Sequence, residues 1–204
     1  MLFELHCHSR HSDGNGLPKE MVEFAMKAGL SGLAITDHDA IEGSLEALDY
    51  ATEGFRVISG MEVSSSEGHI LGLDIRELIP RDISAAEVVD RVHAQGGLAV
   101  AAHPYDRRRR GVGDLIFKLP FDAVEVVNGH TFSNWRDPVN ACQQAHMPMV
   151  GGSDAHTVDE IGSVTVEYEG DVLAAIRSGK ARIRSKPKMQ LMLRHGIGMI
   201  RRKL

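Results

Sequence analysis

Short apolar runs alternate along this chain with stretches in which apolar residues recur every three or four positions, and glycine, proline or capping residues mark the switches. The spacing predicts strands over 2–8, 32–37, 55–59, 98–102, 123–127 and 149–152, with further short strands at 70–75, 163–168 and 181–186. Helices are expected from Pro18 to a stop at Gly29, over 41–52, from a cap at Ser84 to Gly96-Gly97, over 138–145 and over 172–178. Ser84 with Glu87 three residues on forms a capping-box pattern, and Val88, Val89 and Val92 supply the buried side of that helix. Strand and helix in turn are the pattern of an α/β fold with mostly parallel strands. The organisation read from this is one domain over 1–188, followed by a basic and amphipathic tail over 189–204 whose Gly196 and Gly198 weaken a helix.

The polar residues with metal-binding atoms gather at or just beyond the C-terminal ends of these strands, where α/β folds build active sites. Side chains alternate along a strand, so Glu4, His6 and His8 share one face and Phe3, Leu5 and Cys7 the other. Asp13 follows in HSDG, Asp37, His38 and Asp39 in TDHD, Glu62 after the third strand in GMEVSS, His69 in HILG, His103 in AAHP, and Asp154 with His156 in GGSDAH. Carboxylates brought so close repel one another and desolvated imidazoles lose hydrogen bonds, so such a rim is stable only when cations neutralise it. Six imidazoles and three carboxylates suit Zn, Mn or Fe better than Ca or Mg, and nine donors exceed what one ion takes.

The motifs HCHSRHSD, TDHD, GMEVSS with HILG, AHP and GGSDAH, in that order over about residues 3–160, resemble the PHP family, named for polymerase and histidinol phosphatase domains. HxH alone occurs in many folds, whereas the whole series after successive strands is specific. The resemblance implies a distorted seven-stranded, TIM-like (β/α) barrel and a metal-dependent phosphoesterase with two or three divalent ions. By motif, the ligands would be His6, His8, Asp13, His38, Glu62, His69, His103, Asp154 and His156. Family members often carry Asp where this chain has Glu4, a longer carboxylate expected to hold a ligand imidazole from behind.

On that reading a metal-activated hydroxide attacks phosphorus, Glu62 or Asp13 bridges the ions, and His8 or Asp154 handles the proton of the leaving oxygen. Arg107, Arg108 and Arg109, in a run that ends at Arg110, offer planar forks for the substrate's phosphate, or else form a solvated charge run. His130 in VNGHT also follows a strand and is a candidate substrate contact, with Asn128 beside it. Asp37 and Asp39 flank His38 and suit a supporting or loop-capping role. His11, His93, His146 and His195 fall away from strand ends and read as surface or structural residues.

Composition narrows the classes further. The 204 residues are 43% hydrophobic and 25% charged, with two cysteines, Cys7 and Cys142, and no apolar run long enough to span a bilayer. A reducing cytoplasm is the expected compartment. The net charge of −5 hides an asymmetry, for residues 1–171 carry 13 basic and 28 acidic groups, while 172–204 hold ten Lys/Arg and no acid. Two or three divalent ions would bring the total near neutrality. The partner expected is a small phosphorylated molecule of nucleotide type. An exonuclease on short oligonucleotides, a non-catalytic metal-binding regulatory module and C–N hydrolysis on a similar site are the competing readings. The tail admits docking in cis or in a homo-oligomer, a membrane surface or a nucleic acid.

Overall fold

In the computed structural model, which describes residues 1–201, the apolar runs build two five-stranded sheets. The first holds β1 (Leu2–Glu4), β2 (Gly32–Ala34), β3 (Arg56–Ile58), β9 (Val164–Glu167) and β10 (Arg182–Ser185), in the order β10-β9-β1-β2-β3. The second holds β4 (Gly60–Ser64), β5 (His69–Leu73), β6 (Leu98–Ala101), β7 (Ala123–Asn128) and β8 (Met149–Gly152) in sequence order. β1-β2-β3 and β6-β7-β8 are parallel, whereas β9 pairs antiparallel with β1 and β10, and β5 antiparallel with β4 and β6.

The described residues show two mixed sheets, without a closed form of the expected distorted seven-stranded, TIM-like barrel. The reason lies in two short connections. Only Ser59 separates β3 from β4, so the chain changes sheets there, and the four residues between β4 and β5 leave room for a hairpin but not for a helical crossover. That turn is closed by Ser65, whose N–H and Oγ both donate to the Gly68 carbonyl. Gly68 lies at φ 154° with the Gly111 backbone where a Cβ would stand, so the turn requires glycine. A consequence is that Glu62 sits inside β4, paired with Leu71, rather than just beyond the end of a strand.

The two sheets meet at isolated parallel bridges, His38 with Glu62 and Cys7 with Ala155. Beyond β1 the chain stays extended enough to keep its alternation. Glu4, His6 and His8 are buried, and the Cys7 thiol donates to the Ala34 carbonyl at 3.2 Å.

Helices α1 (Pro18–Lys27) and α2 (Glu42–Leu48) pack Met21, Val22, Ala25 and Ala47 against Leu33, Ile35 and Val57 of the first sheet. Helix α3 (Ala85–Ala94) and α4 (Pro138–Gln144) cover the second sheet, with Val88, Val89 and Val92 against Met61, Ile70 and Ala99. Ser84 Oγ caps α3 by accepting the Glu87 N–H, but the Glu87 carboxylate turns to Arg91 at 2.8 Å, so only half of the capping box forms. Phe3, Leu5, Ile58, Leu71, Val100 and Val150 join both sheets, together with Val172 and Ile176 of α5 (Val172–Arg177). The tail forms α6 (Lys188–Arg201), glycines included. Leu191 is buried there, while Met189, Met192 and Leu193 are exposed. Burying one leucine offsets most of the roughly 1 kcal/mol that each helical glycine costs. The expected apolar and basic side chains further along, with His195, lie outside the described residues.

Candidate metal centre

Five imidazoles surround one buried carboxylate. Glu62 Oε1 lies 3.0 Å from His69 Nδ1 and 3.0 Å from His103 Nε2, and Oε2 lies 3.0 Å from His6, 3.3 Å from His8 and 3.4 Å from His38. β4 puts Glu62 at the junction of the sheets, the extended residues after β1 supply His6 and His8, β5 opens with His69, and β6 ends two residues before His103. Burial by itself would raise the Glu62 carboxyl, but the charge on His6 and hydrogen bonds from His103, His6 and His69 hold it well below the usual range. Burial likewise opposes a charge on His6, yet the Glu125 and Glu62 carboxylates push it up to about 10. The pocket thus demands positive charge at its centre.

A second group stands beside the first. His8 Nε2 lies 3.1 Å from Asp154 Oδ1, and His156 Nε2 lies 3.1 Å from Asp13 Oδ2. Asp13 is the open member, its side chain 53% exposed, and its carboxyl is held well below the usual range because the His156 bond and charge outweigh burial. His8 is kept from protonation by burial and then by the neighbouring charge of His156. The residues sort into four overlapping sets whose donor atoms all lie within 4.8 Å of one another: His8, Asp13, His38 and His156; His6, His8, Glu62 and Asp154; His38, Glu62 and His69; and His130, Asp154 and His156. Metal–ligand bonds of about 2.0–2.3 Å place two donors of one ion within about 4.6 Å, so these sets fit shared divalent ions. Eight of the nine expected ligands fall in them. His103 joins through Glu62, and His130 enters through Asp154 and His156.

A further observation fits the same reading. Among the described residues, His8 Nδ1 and His103 Nδ1 are buried ring nitrogens with no hydrogen-bond partner, an arrangement costly in a site that had no use for them. His103 and Asp154 also hold positive φ, 29° and 53°, a strained backbone for residues other than glycine, and both lie at strand ends facing the centre.

Behind the ligands stands Glu125, which sequence reasoning missed. Its Oε1 accepts from His6 Nδ1 at 2.9 Å, leaving Nε2 for the centre, and its Oε2 accepts the His103 N–H and Asn128 Nδ2 at 2.9 Å. An acid in the middle of the apolar run AVEVVN was the available signal. Burial opposes its charge, and the His6 charge and bond overcome that and lower it. Gly152 allows the arrangement, since a Cβ there would meet His6 Cβ at 2.4 Å and Glu125 Oε1 at 2.7 Å.

Glu4 does a different job from the one expected. Rather than an imidazole it holds backbone, accepting the N–H groups of His6, Ser153 and Gly162, with Ser153 Oγ as a fourth donor. It thereby ties the His6 strand to the segment that leads into Asp154, and burial raises its carboxyl despite those bonds. Asp37 caps the loop after His8, accepting from Ser9 N, Ser9 Oγ and Ser12 Oγ at 2.6 Å each. Asp39, at φ 52°, accepts the Ser64 N–H at 2.7 Å.

The arginine run divides. Arg107 donates to the Asn134 carbonyl and Arg110 to the Ser66 carbonyl, both exposed, and neither lines the cavity, contrary to the substrate role expected of Arg107. Arg108 and Arg109 line a cavity of about 330 Å³ together with Asp13, His69, His130, Phe132 and Asp154. Arg109 reaches Asp106 and Asn128 at 2.9 Å, Thr131 Oγ1 at 2.5 Å, and Asp154. Asp106, unforeseen from the sequence, is lowered to about 2 because bonds from Arg108, Thr131 and Arg109 outweigh burial. His130 stacks on His156 at 5.1 Å and meets Glu160 Oε1 at 3.1 Å. Glu160 Oε2 accepts the N–H groups of His156 and Thr157, a second contribution the sequence did not reveal. His11 and His93 pair with Glu46 and Asp122 at the surface, away from the centre.

Residues 4–107 match the PHP domain, and residues 139–181 match the PHP-associated segment. The chain is 37% identical over 142 residues to an uncharacterised protein of Methanocaldococcus jannaschii, covering 64% of this chain and 83% of that protein. Over 84 residues it is 43% identical to a 5'-3' exoribonuclease of Haemophilus influenzae, covering 39% of this chain and 31% of the enzyme. In fold it is similar to the crystal structure of a two-domain protein of Bacteroides vulgatus containing a predicted PHP-like metal-dependent phosphoesterase, at a TM-score of 0.74 and 18% identity over 91% of this chain, which spans 64% of that protein. Among the described residues no helix is long and apolar enough to cross a membrane. The motifs expected at each strand end converge on one centre, and with these matches the chain belongs to the PHP family.

Proposed function

We propose that this chain hydrolyses phosphate esters of a small, nucleotide-type molecule, with two or three divalent ions, Zn, Mn or Fe, held by His6, His8, Asp13, His38, Glu62, His69, His103, Asp154 and His156. The observation that carries the reading is Glu62, a buried carboxylate shared by five imidazoles. Divalent ions there would supply an acidified water as nucleophile and positive charge opposite the oxygens of the phosphoryl group.

The protein's own groups do the rest. Glu62 joins the buried donors to the open ones, with each oxygen facing a different set of imidazoles. Glu125 fixes the His6 tautomer. Arg108 and Arg109, at the cavity, hold the substrate's anionic oxygens as a planar fork can. Asp154 or His8, 3.1 Å apart, handles the proton of the leaving oxygen, which the attacking water supplies as it adds to phosphorus. Phe132 and His130 line the cavity with these groups, and its volume of about 330 Å³ suits a molecule the size of a mononucleotide.

Trimming of short oligonucleotides is the second reading, favoured by the similarity to the Haemophilus enzyme and by the acid-free basic segment after Asp171. Phosphate release from nucleoside monophosphates, a diester and a short oligonucleotide, each across a range of salt, separates the two. Monoester turnover with little salt dependence is expected. Oligonucleotide turnover that falls steeply with salt, without monoester hydrolysis, would replace the first reading by the second.

A further inference from the structure

The basic end of the chain folds back onto the rim of the cavity. Before α6 begins, the Lys186 N–H donates to the Ser163 carbonyl at 2.9 Å. Lys188 Nζ then donates to the Phe132 carbonyl at 3.0 Å, and Arg194 Nη1 donates to the Asp159 carbonyl. Between these two cations Leu191 is buried to 7% exposure, whereas Met189 is 82% exposed. Among the described residues, these contacts of the helix fall on two segments of the body, one at Phe132 and one at Asp159.

Each loop carries part of the cavity. Phe132 belongs to the segment 129–134, which also bears His130, and both residues line the cavity wall. Asp159 immediately precedes Glu160, whose carboxylate meets His130 and accepts the backbone N–H groups of His156 and Thr157. The acceptors of Lys188 and Arg194 are main-chain carbonyls, so the cations grip the loop backbones themselves, through charge-assisted bonds. Segment 129–134 is turn and coil, and Asp159 lies in a single 3-10 turn, Val158–Glu160.

We propose that Lys188 and Arg194 are positioning residues of the active site. Through them α6 straps segment 129–134 to segment 157–163, sets Phe132 and the His130–Glu160 pair across the cavity mouth, and so governs affinity for the phosphorylated substrate. The inference rests on the phosphoesterase reading for its kinetic consequence, but its structural part stands apart from it.

The test uses the full chain and its Lys188→Ala, Arg194→Ala and Arg194→Lys variants, loaded with the same divalent ion. Hydrolysis of p-nitrophenyl phosphate is measured, and amide hydrogen exchange is followed on the same proteins without substrate. Each alanine variant is expected to raise KM by about three- to tenfold with kcat within about twofold, and Arg194→Lys to recover part of the loss. Exchange should quicken in segments 129–134 and 157–163 and stay unchanged in the strands of the second sheet. Unchanged KM in both alanine variants would overturn the proposal, as would exchange that rises throughout the molecule while KM and kcat deteriorate together. Wild-type protein that hydrolyses no ester would sink the phosphoesterase reading alone; exchange in the two loops would then still decide for or against the strap.

Discussion

The two sides of the metal centre are built on different principles. On the inner side His6, His8, Glu62, Glu125 and Asp154 are fully buried and close a network in which each carboxylate answers an imidazole. On the outer side Asp13 is half exposed, His38 and His69 are partly open, and Arg108 stands in solvent. Charge that is buried must be compensated by groups fixed in the fold, so the inner side couples metal binding to stability. Charge at the open side is screened and replaceable, so it couples to substrate and to exchange of ions.

The contrast is broken most severely at Glu62. Glu62→Gln removes the shared charge from five imidazoles, and it should strip most bound metal, lower the melting temperature and cut hydrolysis at least about a thousandfold. Metal content, melting temperature and turnover measured on one preparation check this; retention of full metal content would show that the inner side does not hold the ions.

Glu125→Ala comes next. It touches no proposed ion but frees the His6 ring, so metal affinity should fall by about ten- to a hundredfold, read by competition with a chelating dye. An effect confined to stability, with affinity unchanged, would reduce Glu125 to packing.

Asp13→Asn probes the open side. The expected outcome is loss of part of the metal content with unchanged melting temperature, and a fall in activity on the order of tenfold. A melting temperature that drops as far as in Glu62→Gln would erase the distinction between the two sides.

The smallest effect concerns pH. Asp106 is held at about 2 against an ordinary 3.8, so the unfolded chain binds more protons between those values, and the stabilisation present above about pH 4 is lost as pH falls toward 2. Asp106→Asn should be less stable than the wild type at neutral pH, and the gap should narrow below pH 4 in denaturant titrations. A gap that stays constant with pH would deny Asp106 this role.

The residues that converge at the candidate metal centre were legible because they are local signals. His6, His38, His103, Asp154 and His156 follow apolar runs whose strand character needs no tertiary information. Glu125 escaped because an acid inside a strand looks the same whether it faces water or a buried imidazole. Asp106 and Glu160 escaped because the partners that tie them to the cavity wall lie far along the chain, Thr131 for one and His130 for the other, while their nearer bonds look like ordinary turn capping. The second sheet was misjudged at Ser59, where a one-residue link moves the chain to another sheet, and at the turn closed by Gly68, where a hairpin reverses it, neither altering the apolar pattern. The four arginines read as one motif, yet only Arg108 and Arg109, whose N–H groups Asp106 accepts, line the cavity.

The central claim is that divalent ions gathered around Glu62 carry phosphoester hydrolysis. The most direct test strips the protein of metal, reloads it with Zn, Mn or Fe singly, and measures phosphate released from an aryl phosphate against metal content in the same sample. The account predicts that release rises with bound ion to two or three per chain and is absent from the stripped protein. A fully loaded protein that leaves the ester intact would contradict it.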